Sequence, residues 1–225
     1  MKPYQWILFD VDDTLFHFDS HRGLQLMCST LNIPFTTEDY EEYEIINKAL
    51  WIDYQNGQIT AAEIRYKRFE AWANKLQASP HELNNAFMKA MAEICTPIDG
   101  AINLLNTLKN KVSLGIITNG FTELQKARVE RMGLQDHFDV LVISEQVGIP
   151  KPHPGIFEHA LNMMGNPARE KVLMVGDNPD SDIIGGINVG IDTCWLNRNN
   201  KPTPAGITPS YQVASLRELE NLLSL

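Results

Sequence analysis

Short apolar segments alternate with amphipathic segments in the second half of the chain, and this alternation constrains the fold more than any other feature. The apolar segments are Val112–Ile117, Val140–Ile143, Val172–Val175 and the weaker Thr193–Leu196. The amphipathic segments are Ala101–Leu108, Thr122–Met132, Pro154–Met164 and Asp182–Val189. Such alternation is typical of βαβ units, in which helices cover both faces of a parallel sheet. We therefore predict an α/β fold with a Rossmann-like parallel-sheet core.

A second kind of sequence lies between Phe16 and Cys95, where the pattern is helical throughout. Thr60-Ala-Ala-Glu63 and Ser79-Pro-His-Glu82 are capping boxes, each of which marks the start of a helix. The opening apolar run Trp6–Phe9 reads as a strand of the α/β part, so the helical block is an insertion that would lie over the strand ends like a lid. The predicted domains are an α/β catalytic core, residues 1–16 and 97–225, and an all-helical cap of the four-helix type, residues 17–96.

Composition narrows the class of partner and the compartment. The 225 residues include 19 Lys and Arg and 28 Asp and Glu, a formal net charge of −9 with no basic cluster, so neither a nucleic-acid polymer nor a membrane is an expected partner. The three cysteines, Cys28, Cys95 and Cys194, lie far apart, which argues against disulfides and a zinc site and favours the cytoplasm. No stretch approaches the roughly 20 apolar residues of a membrane span. The sequence indicates no particular oligomeric state.

An acidic cluster, Asp10-Val-Asp-Asp-Thr14, directly follows the first predicted strand. Ligands of open α/β sheets bind at the carboxyl ends of strands. The carboxylates of Asp10 and Asp12, one residue apart, can share a hard cation and still face one substrate. This arrangement predicts metal-assisted chemistry on an anion.

Three further motifs follow predicted strands, and each has a plainer alternative. Thr118-Asn119-Gly120 either holds an anion on backbone N–H groups or is an ordinary turn and helix cap. Lys151, between two prolines, is either a point contact to phosphate or a solvated surface lysine. Gly176-Asp177 ends a strand, and Asp182 is either part of the same site or a helix N-cap. Their order and their shared position at strand ends make the set much more specific than any one motif.

This ordered set resembles the motifs of the haloacid dehalogenase-like superfamily over nearly the whole chain, and the helical block resembles the cap of its first subclass. The resemblance implies that Asp10 is a nucleophile that forms an aspartyl-phosphate. It implies that Asp12 is the general acid and base. Thr118 and the N–H of Asn119 would hold the phosphoryl oxygens, and Lys151 would neutralise charge.

The resemblance also implies a metal, Mg²⁺, with Mn²⁺ as a substitute. Its implied ligands are the carboxylates of Asp10 and Asp177 and the backbone carbonyl of Asp12, with Asp182 behind them. Dehalogenases of the superfamily lack the second aspartate and use no metal, so Asp12 favours phosphoryl transfer.

Several segments narrow the resemblance to the bacterial pyrimidine 5′-nucleotidases of the house-cleaning type. These segments are Asn47–Thr60, Glu93–Pro97, Ile116–Phe121 and Leu173–Asp182. The implied substrates are small nucleoside 5′-monophosphates: dUMP, UMP, dTMP and non-canonical pyrimidine analogues. Phe18 and Trp51 are the cap aromatics best suited to stack on a base, although aromatic side chains at helical spacing more often fill a core. Two alternatives stay open, a sugar-phosphate phosphatase or phosphomutase of the same superfamily and a non-catalytic protein that binds nucleotide and metal.

Overall fold

The computed structural model describes residues 4–223 and divides into two compact units. One unit contains the described residues up to His17, residues Thr96–Gly120 and the chain from Val129 onward. The other contains Phe18–Cys95 and Phe121–Arg128. The sequence pattern assigned Phe121–Arg128 to the core, but Phe121 and Leu124 are buried in the apolar core of the helical unit. The boundaries of catalytic core and cap, as functional domains, stay a prediction.

Five helices between Phe18 and Cys95 form most of the helical unit, and they surround an aromatic core. They are α1 (Ser20–Thr30), α2 (Thr37–Gln55), α3 (Ala61–Lys67), α4 (Glu70–Leu76) and α5 (Pro80–Glu93). The ring of Tyr43 lies 5.4 Å from that of Phe69 and 5.8 Å from that of Phe87, centroid to centroid. The Thr60–Glu63 capping box starts α3 as predicted, with the Thr60 N–H donating to the Glu63 carboxylate at 2.8 Å. Local capping and aromatic burial together explain why this segment is helical.

The other unit is organised around a six-stranded parallel sheet with the order β3-β2-β1-β4-β5-β6. The strands are β1 (Trp6–Phe9), β2 (Ser113–Thr118), β3 (Val140–Ile143), β4 (Val172–Gly176), β5 (Asp192–Leu196) and β6 (Tyr211–Val213). Strand β1 lies between β2 and β4, and Phe9 is in register with Ile116 and Val175. The segments that follow these three strands therefore start side by side at one edge of the sheet.

The remaining α-helices are α6 (Ala101–Leu108), α7 (Thr122–Arg131), α8 (Ser144–Val147), α9 (Pro154–Met163), α10 (Ile184–Asn188) and α11 (Leu216–Leu223). Three of them, α6, α7 and α9, follow the predicted segments closely, whereas the four-residue α8 was not predicted and one predicted segment is an exception. The exception is the segment predicted as one helix over Asp182–Val189. Its first residues belong to a π-helical turn, Pro179–Ile183, and only α10 is α-helical. The turn directs the Asp182 carboxylate back toward the strand ends, where it accepts a hydrogen bond from Lys151.

Close packing of α10 also depends on glycine. A Cβ atom on Gly185 would lie 2.3 Å from the ring of Phe157 in α9, so no larger residue fits without displacement. None of the helices within residues 4–223 has the length and apolar character that a bilayer crossing requires.

Candidate active site

Four of the charged side chains singled out from the sequence, Asp10, Lys151, Asp177 and Asp182, meet at the carboxyl ends of β1, β2 and β4. Asp10 directly follows β1, and its N–H donates to the Val175 carbonyl of β4 at 2.9 Å. Asp177 directly follows β4, and Lys151 reaches the same place from the segment before α9. The expectation that strand ends bring these residues together agrees with the geometry.

Lys151 is the fixed positive charge of this cluster. Its side chain is 1% exposed, and its ammonium group donates to Asp10 Oδ1 at 2.6 Å, to Asp182 Oδ1 at 2.7 Å and to the Ile117 carbonyl at 2.7 Å. Burial lowers the pKa of Lys151, but Asp10 and Asp182 more than offset this effect, so the pKa is raised above its ordinary value. The alternative of a solvated surface lysine is wrong.

Asn119 has a role that sequence reasoning missed. Its side-chain Oδ1 accepts a hydrogen bond from the Lys151 N–H at 2.7 Å, and its Nδ2 donates to the Lys151 carbonyl at 2.9 Å. The amide side chain thus both donates to and accepts from the backbone of the lysine, which requires a group with a donor and an acceptor. The sequence signal considered only the backbone N–H of Asn119, and its contact with phosphate stays a prediction.

Three carboxylates form a group that fits a hard metal ion. Asp10, Asp177 and Asp182 each offer an oxygen atom, and these atoms lie within 4.8 Å of one another. Burial is the largest cause that raises the pKa of Asp10 well above its ordinary value; Lys151 lowers it, and the neighbouring carboxylates raise it again. Burial and Asp182 likewise raise the pKa of Asp177 to about 7. A divalent cation bound by oxygen ligands would stabilise the charged carboxylates, so this donor set suits an ion such as Mg²⁺.

The carboxylate of Asp182 makes its hydrogen bonds within the charged cluster and does not cap a helix. Its Oδ1 accepts from Lys151 and from the Ser181 hydroxyl at 3.2 Å, and its Oδ2 accepts from the Asn178 N–H at 3.1 Å. The turn is capped instead by Asn178, whose Oδ1 accepts from the Asp180 N–H at 2.9 Å. The alternative in which Asp182 is an N-cap is therefore wrong. A Cβ atom on Gly176 would lie 2.2 Å from Asp182 Oδ2, so the glycine is what allows this close approach.

Two residues hold Asp177 in place. The Asp177 N–H donates to the Thr14 hydroxyl at 3.1 Å, and the indole N–H of Trp195 donates to the Asp177 carbonyl at 2.9 Å. Thr14 thereby links the loop after β1 to the loop after β4. The bond from Trp195 was not predicted, because a tryptophan in an apolar strand looks like a core residue until the partner of its N–H is known.

The other residues of the sequence prediction are placed as follows. Thr118 is buried, and its hydroxyl accepts from the Gly120 N–H at 3.1 Å, so the ordinary turn is present whether or not the residue also binds phosphate. Asp12 is half-buried, and its carboxylate does not belong to the three-carboxylate group found among the described residues.

The two cap aromatics both belong to the helical unit and are both partly buried. The Trp51 ring lies 5.4 Å from that of Phe121 and 5.8 Å from that of Tyr54. The Phe18 ring lies 5.5 Å from the Arg128 guanidinium. Their contact with substrate stays a prediction.

Comparison with known proteins assigns the family. A sequence profile of the haloacid dehalogenase-like hydrolases matches residues 4–190. The chain belongs to this family. The superfamily predicted from the ordered motifs is therefore confirmed, and so is the fold class, a parallel-sheet core with an inserted helical block.

Individual members of the haloacid dehalogenase-like hydrolases resemble the chain along its whole length. Pyrimidine 5′-nucleotidase YjjG of Escherichia coli (strain K12) is 54% identical over 98% of both chains. Pyrimidine 5′-nucleotidase PynA of Streptococcus pneumoniae is 31% identical over 98% of this chain and 95% of that protein. The crystal structure of the putative hydrolase YfnB of Bacillus subtilis, bound to magnesium, has a TM-score of 0.87 and 32% identity over 100% of both chains.

Proposed function

We propose that this hydrolase is a magnesium-dependent phosphatase that hydrolyses nucleoside 5′-monophosphates through an aspartyl-phosphate on Asp10. The observation that carries the proposal is the buried contact between Lys151 and Asp10, beside the three-carboxylate group. A carboxylate attacks a dianionic phosphate only when their mutual repulsion is cancelled, and a buried ammonium with a metal site beside it supplies that cancellation. The two pyrimidine 5′-nucleotidases at 54% and 31% identity support the same reaction class.

The residues that would hold the ion are Asp10 and Asp177, through their carboxylates, and Asp12, through its backbone carbonyl. Asp182 would stay behind them, bound to Lys151. A bound divalent ion would neutralise charge on the phosphoryl oxygens and on the attacking carboxylate.

The proposed reaction has two steps. A carboxylate oxygen of Asp10 forms a bond to phosphorus while the bond to the nucleoside oxygen breaks, and Asp12 gives its proton to that leaving oxygen. Asp12 then takes a proton from water, the water oxygen bonds to phosphorus, and the acyl-phosphate bond breaks, which releases phosphate and restores Asp10. Thr118 and the Asn119 N–H would hold the phosphoryl oxygens on which transition-state charge accumulates.

The nucleophile is tested by the variant Asp10→Asn. We expect kcat to fall by on the order of 10³-fold or more, because the amide does not form the covalent intermediate. Circular dichroism should show an unchanged fold, because Asp182 and the Ile117 carbonyl still accept hydrogen bonds from Lys151. Asp180→Asn is the matched control, since Asp180 is an exposed carboxylate near the same cluster and should tolerate the change. Turnover by Asp10→Asn at the wild-type rate would exclude the aspartyl-phosphate.

The substrate class is tested by a panel of phosphate esters with Mg²⁺ present. We expect dUMP, UMP and dTMP to give higher kcat/KM values than hexose phosphates. Phe18→Leu and Trp51→Leu should raise KM for the nucleotides with less effect on kcat, if these aromatics stack on the base. Preference for sugar phosphates would favour the sugar-phosphatase alternative, and magnesium and nucleotide binding without turnover would favour a non-catalytic protein.

A further inference from the structure

An ion pair joins two loops at the edge of the sheet that carries the candidate site. Arg198 Nη2 lies 3.0 Å from Asp13 Oδ1. Asp13 follows β1 and Arg198 follows β5, and β4 lies between these strands. The pair therefore connects the loops on either side of Asp177, which follows β4.

The backbone fixes both ends of this pair. Asp13 has a positive φ of 58°, which aspartate tolerates better than most residues, and its N–H donates to the Phe16 carbonyl at 2.8 Å. At the other end, the buried Asn197 side chain accepts from the Lys201 N–H at 2.9 Å and donates to the Lys201 carbonyl at 2.8 Å. This closes the short loop that presents Arg198. Neither partner is simply a loose side chain on an open surface.

The charges of the pair act on the metal-site carboxylate between them. After burial and Asp182, Asp13 raises the pKa of Asp177, whereas Arg198 lowers it. The two side chains are 29% and 42% exposed, for Arg198 and Asp13 respectively. Ion pairs at that exposure contribute little to global stability, so the position of this pair is more informative than its energy.

We infer that Arg198 is a positioning residue for the metal site. Its ion pair with Asp13 fixes the peptide group between Asp12 and Asp13 beside Asp177, and the carbonyl oxygen of that peptide group is a proposed metal ligand. The inference rests on the proposed function, because it concerns the same metal site. Groups that orient metal ligands from behind change metal affinity by about 10- to 100-fold when they are removed. No sequence pattern predicted this role, since Arg198 lies in a loop 185 positions from its partner.

The direction in which the cation affinity changes in Arg198→Ala shows whether Arg198 positions a ligand or acts only through its charge. If Arg198 acted only as a nearby positive charge, Arg198→Ala would bind a cation more tightly, because a repulsion is lost. If it positions the ligand, the same variant binds the cation more weakly. We expect Arg198→Ala to weaken Mn²⁺ binding by roughly 10-fold. The binding is measured on metal-free protein without substrate, from the electron paramagnetic resonance signal of free Mn²⁺.

Further variants test the mechanism of the effect. Arg198→Lys should recover part of the affinity, because an ammonium can still donate to Asp13. The double variant Asp13→Asn/Arg198→Ala should lose less affinity than the sum of the losses in the two single variants, since both changes break one contact. Arg169→Ala is the matched control: it breaks the exposed Arg169–Glu158 pair, 2.7 Å long, in the same unit and should leave Mn²⁺ binding unchanged.

The outcomes distinguish this inference from the function on which it rests. Mn²⁺ binding by wild type and weaker binding by Arg198→Ala supports the positioning role. Equal or tighter binding by Arg198→Ala, with binding by wild type intact, overturns the positioning role and leaves the proposed function standing. Failure of wild type to bind Mn²⁺ overturns the metal site and this inference together.

Discussion

Lys151 shows how burial converts a flexible side chain into a fixed charge. Its three protons have three acceptors, on Asp10, Asp182 and Ile117, so the ammonium group has one position rather than many. The cost of removing it from water is offset by the two carboxylates, and its pKa stays raised. Removing one partner of such a buried pair typically costs about 3–5 kcal/mol of stability, because an uncompensated charge remains.

The close approach of Gly176 to Asp182 provides a test of the site at the scale of a single residue. In Gly176→Ala the added methyl group would lie 2.2 Å from Asp182 Oδ2, so the carboxylate must move and Lys151 with it. A displacement of about 1 Å in a catalytic arrangement can cost about 10²-fold, and we expect a loss of that order in kcat/KM for nucleotide hydrolysis. Gly190→Ala is the control, because its φ of 77° strains the backbone while no atom lies within 4 Å of the new Cβ. It should lose stability but keep kcat/KM; wild-type activity of Gly176→Ala would contradict the role given to Asp182.

At the scale of elements, the sequence was most informative where the signal is local. Strands β1 and β3 and helix α6 have the predicted bounds, because continuous apolar runs and helical periodicity are properties of neighbouring residues. Strand β6 was missed, since it is three residues long and only Val213 in it is buried. The Thr36–Asp39 capping box of α2 was also missed, because aspartate stands where the usual pattern has Glu or Gln.

The contacts of the candidate site likewise include some that the sequence predicts and some that it does not. That strand ends bring Asp10, Asp177 and Lys151 together was predictable, because parallel strands end at one edge of the sheet. The bonds from Asn119 to Lys151 and from Trp195 to Asp177 were not, because they join residues 32 and 18 positions apart whose side chains have plausible local uses. Pairs of this kind follow from the three-dimensional arrangement and have no periodic signature.

The Thr60–Glu63 capping box gives a prediction about stability and pH. The Glu63 carboxylate accepts from the Thr60 N–H at 2.8 Å and from Lys67 at 3.0 Å, and these bonds lower its pKa, with the Thr60 backbone as the largest cause. A lowered pKa in the folded state means that the stabilisation is present above the ordinary value of 4.5 and is lost as pH falls through the lowered value. Glu63→Gln should therefore unfold at lower urea concentration than wild type near pH 7, and the two midpoints should converge below pH 4.5.

The matched control for this prediction is Glu70→Gln. Glu70 also lies in the first turn of a helix, but the N-cap of that helix, Phe69, makes no side-chain hydrogen bond. We expect a smaller effect on the urea midpoint from this variant. A difference between Glu63→Gln and wild type that stays constant from neutral to acid pH would show that the charge of Glu63 is not responsible.

At the scale of the whole molecule, the net charge of −9 opposes the approach of an anionic substrate. Positive charge is concentrated at Lys151 and at the proposed metal ion, and this attraction acts over short distances. Long-range steering, which accelerates association in many enzymes that bind anions, is therefore not expected here.

This charge distribution predicts how the rate responds to salt. Raising NaCl from about 20 to about 200 mM, at constant free Mg²⁺, screens the general repulsion more than the buried contacts, so kcat/KM for a nucleoside monophosphate should stay constant or rise. The measurement is initial-rate kinetics at low substrate concentration, with an uncharged osmolyte at equal osmolality as the control. A steep fall in kcat/KM would indicate a steering surface that the charge balance does not suggest.

The reciprocal bond between the Asn119 side chain and the Lys151 backbone has a consequence for how the protein can change. Because the Asn119 side chain bonds to the Lys151 backbone directly, the lysine is anchored to the end of β2 across the stretch of chain that separates the two residues. The exposed turn around Gly133 and Gln135 lies in that interval, so it can accept an inserted peptide or tag while the lysine keeps its place. This exposed turn can therefore diverge or be engineered with little effect on the position of Lys151.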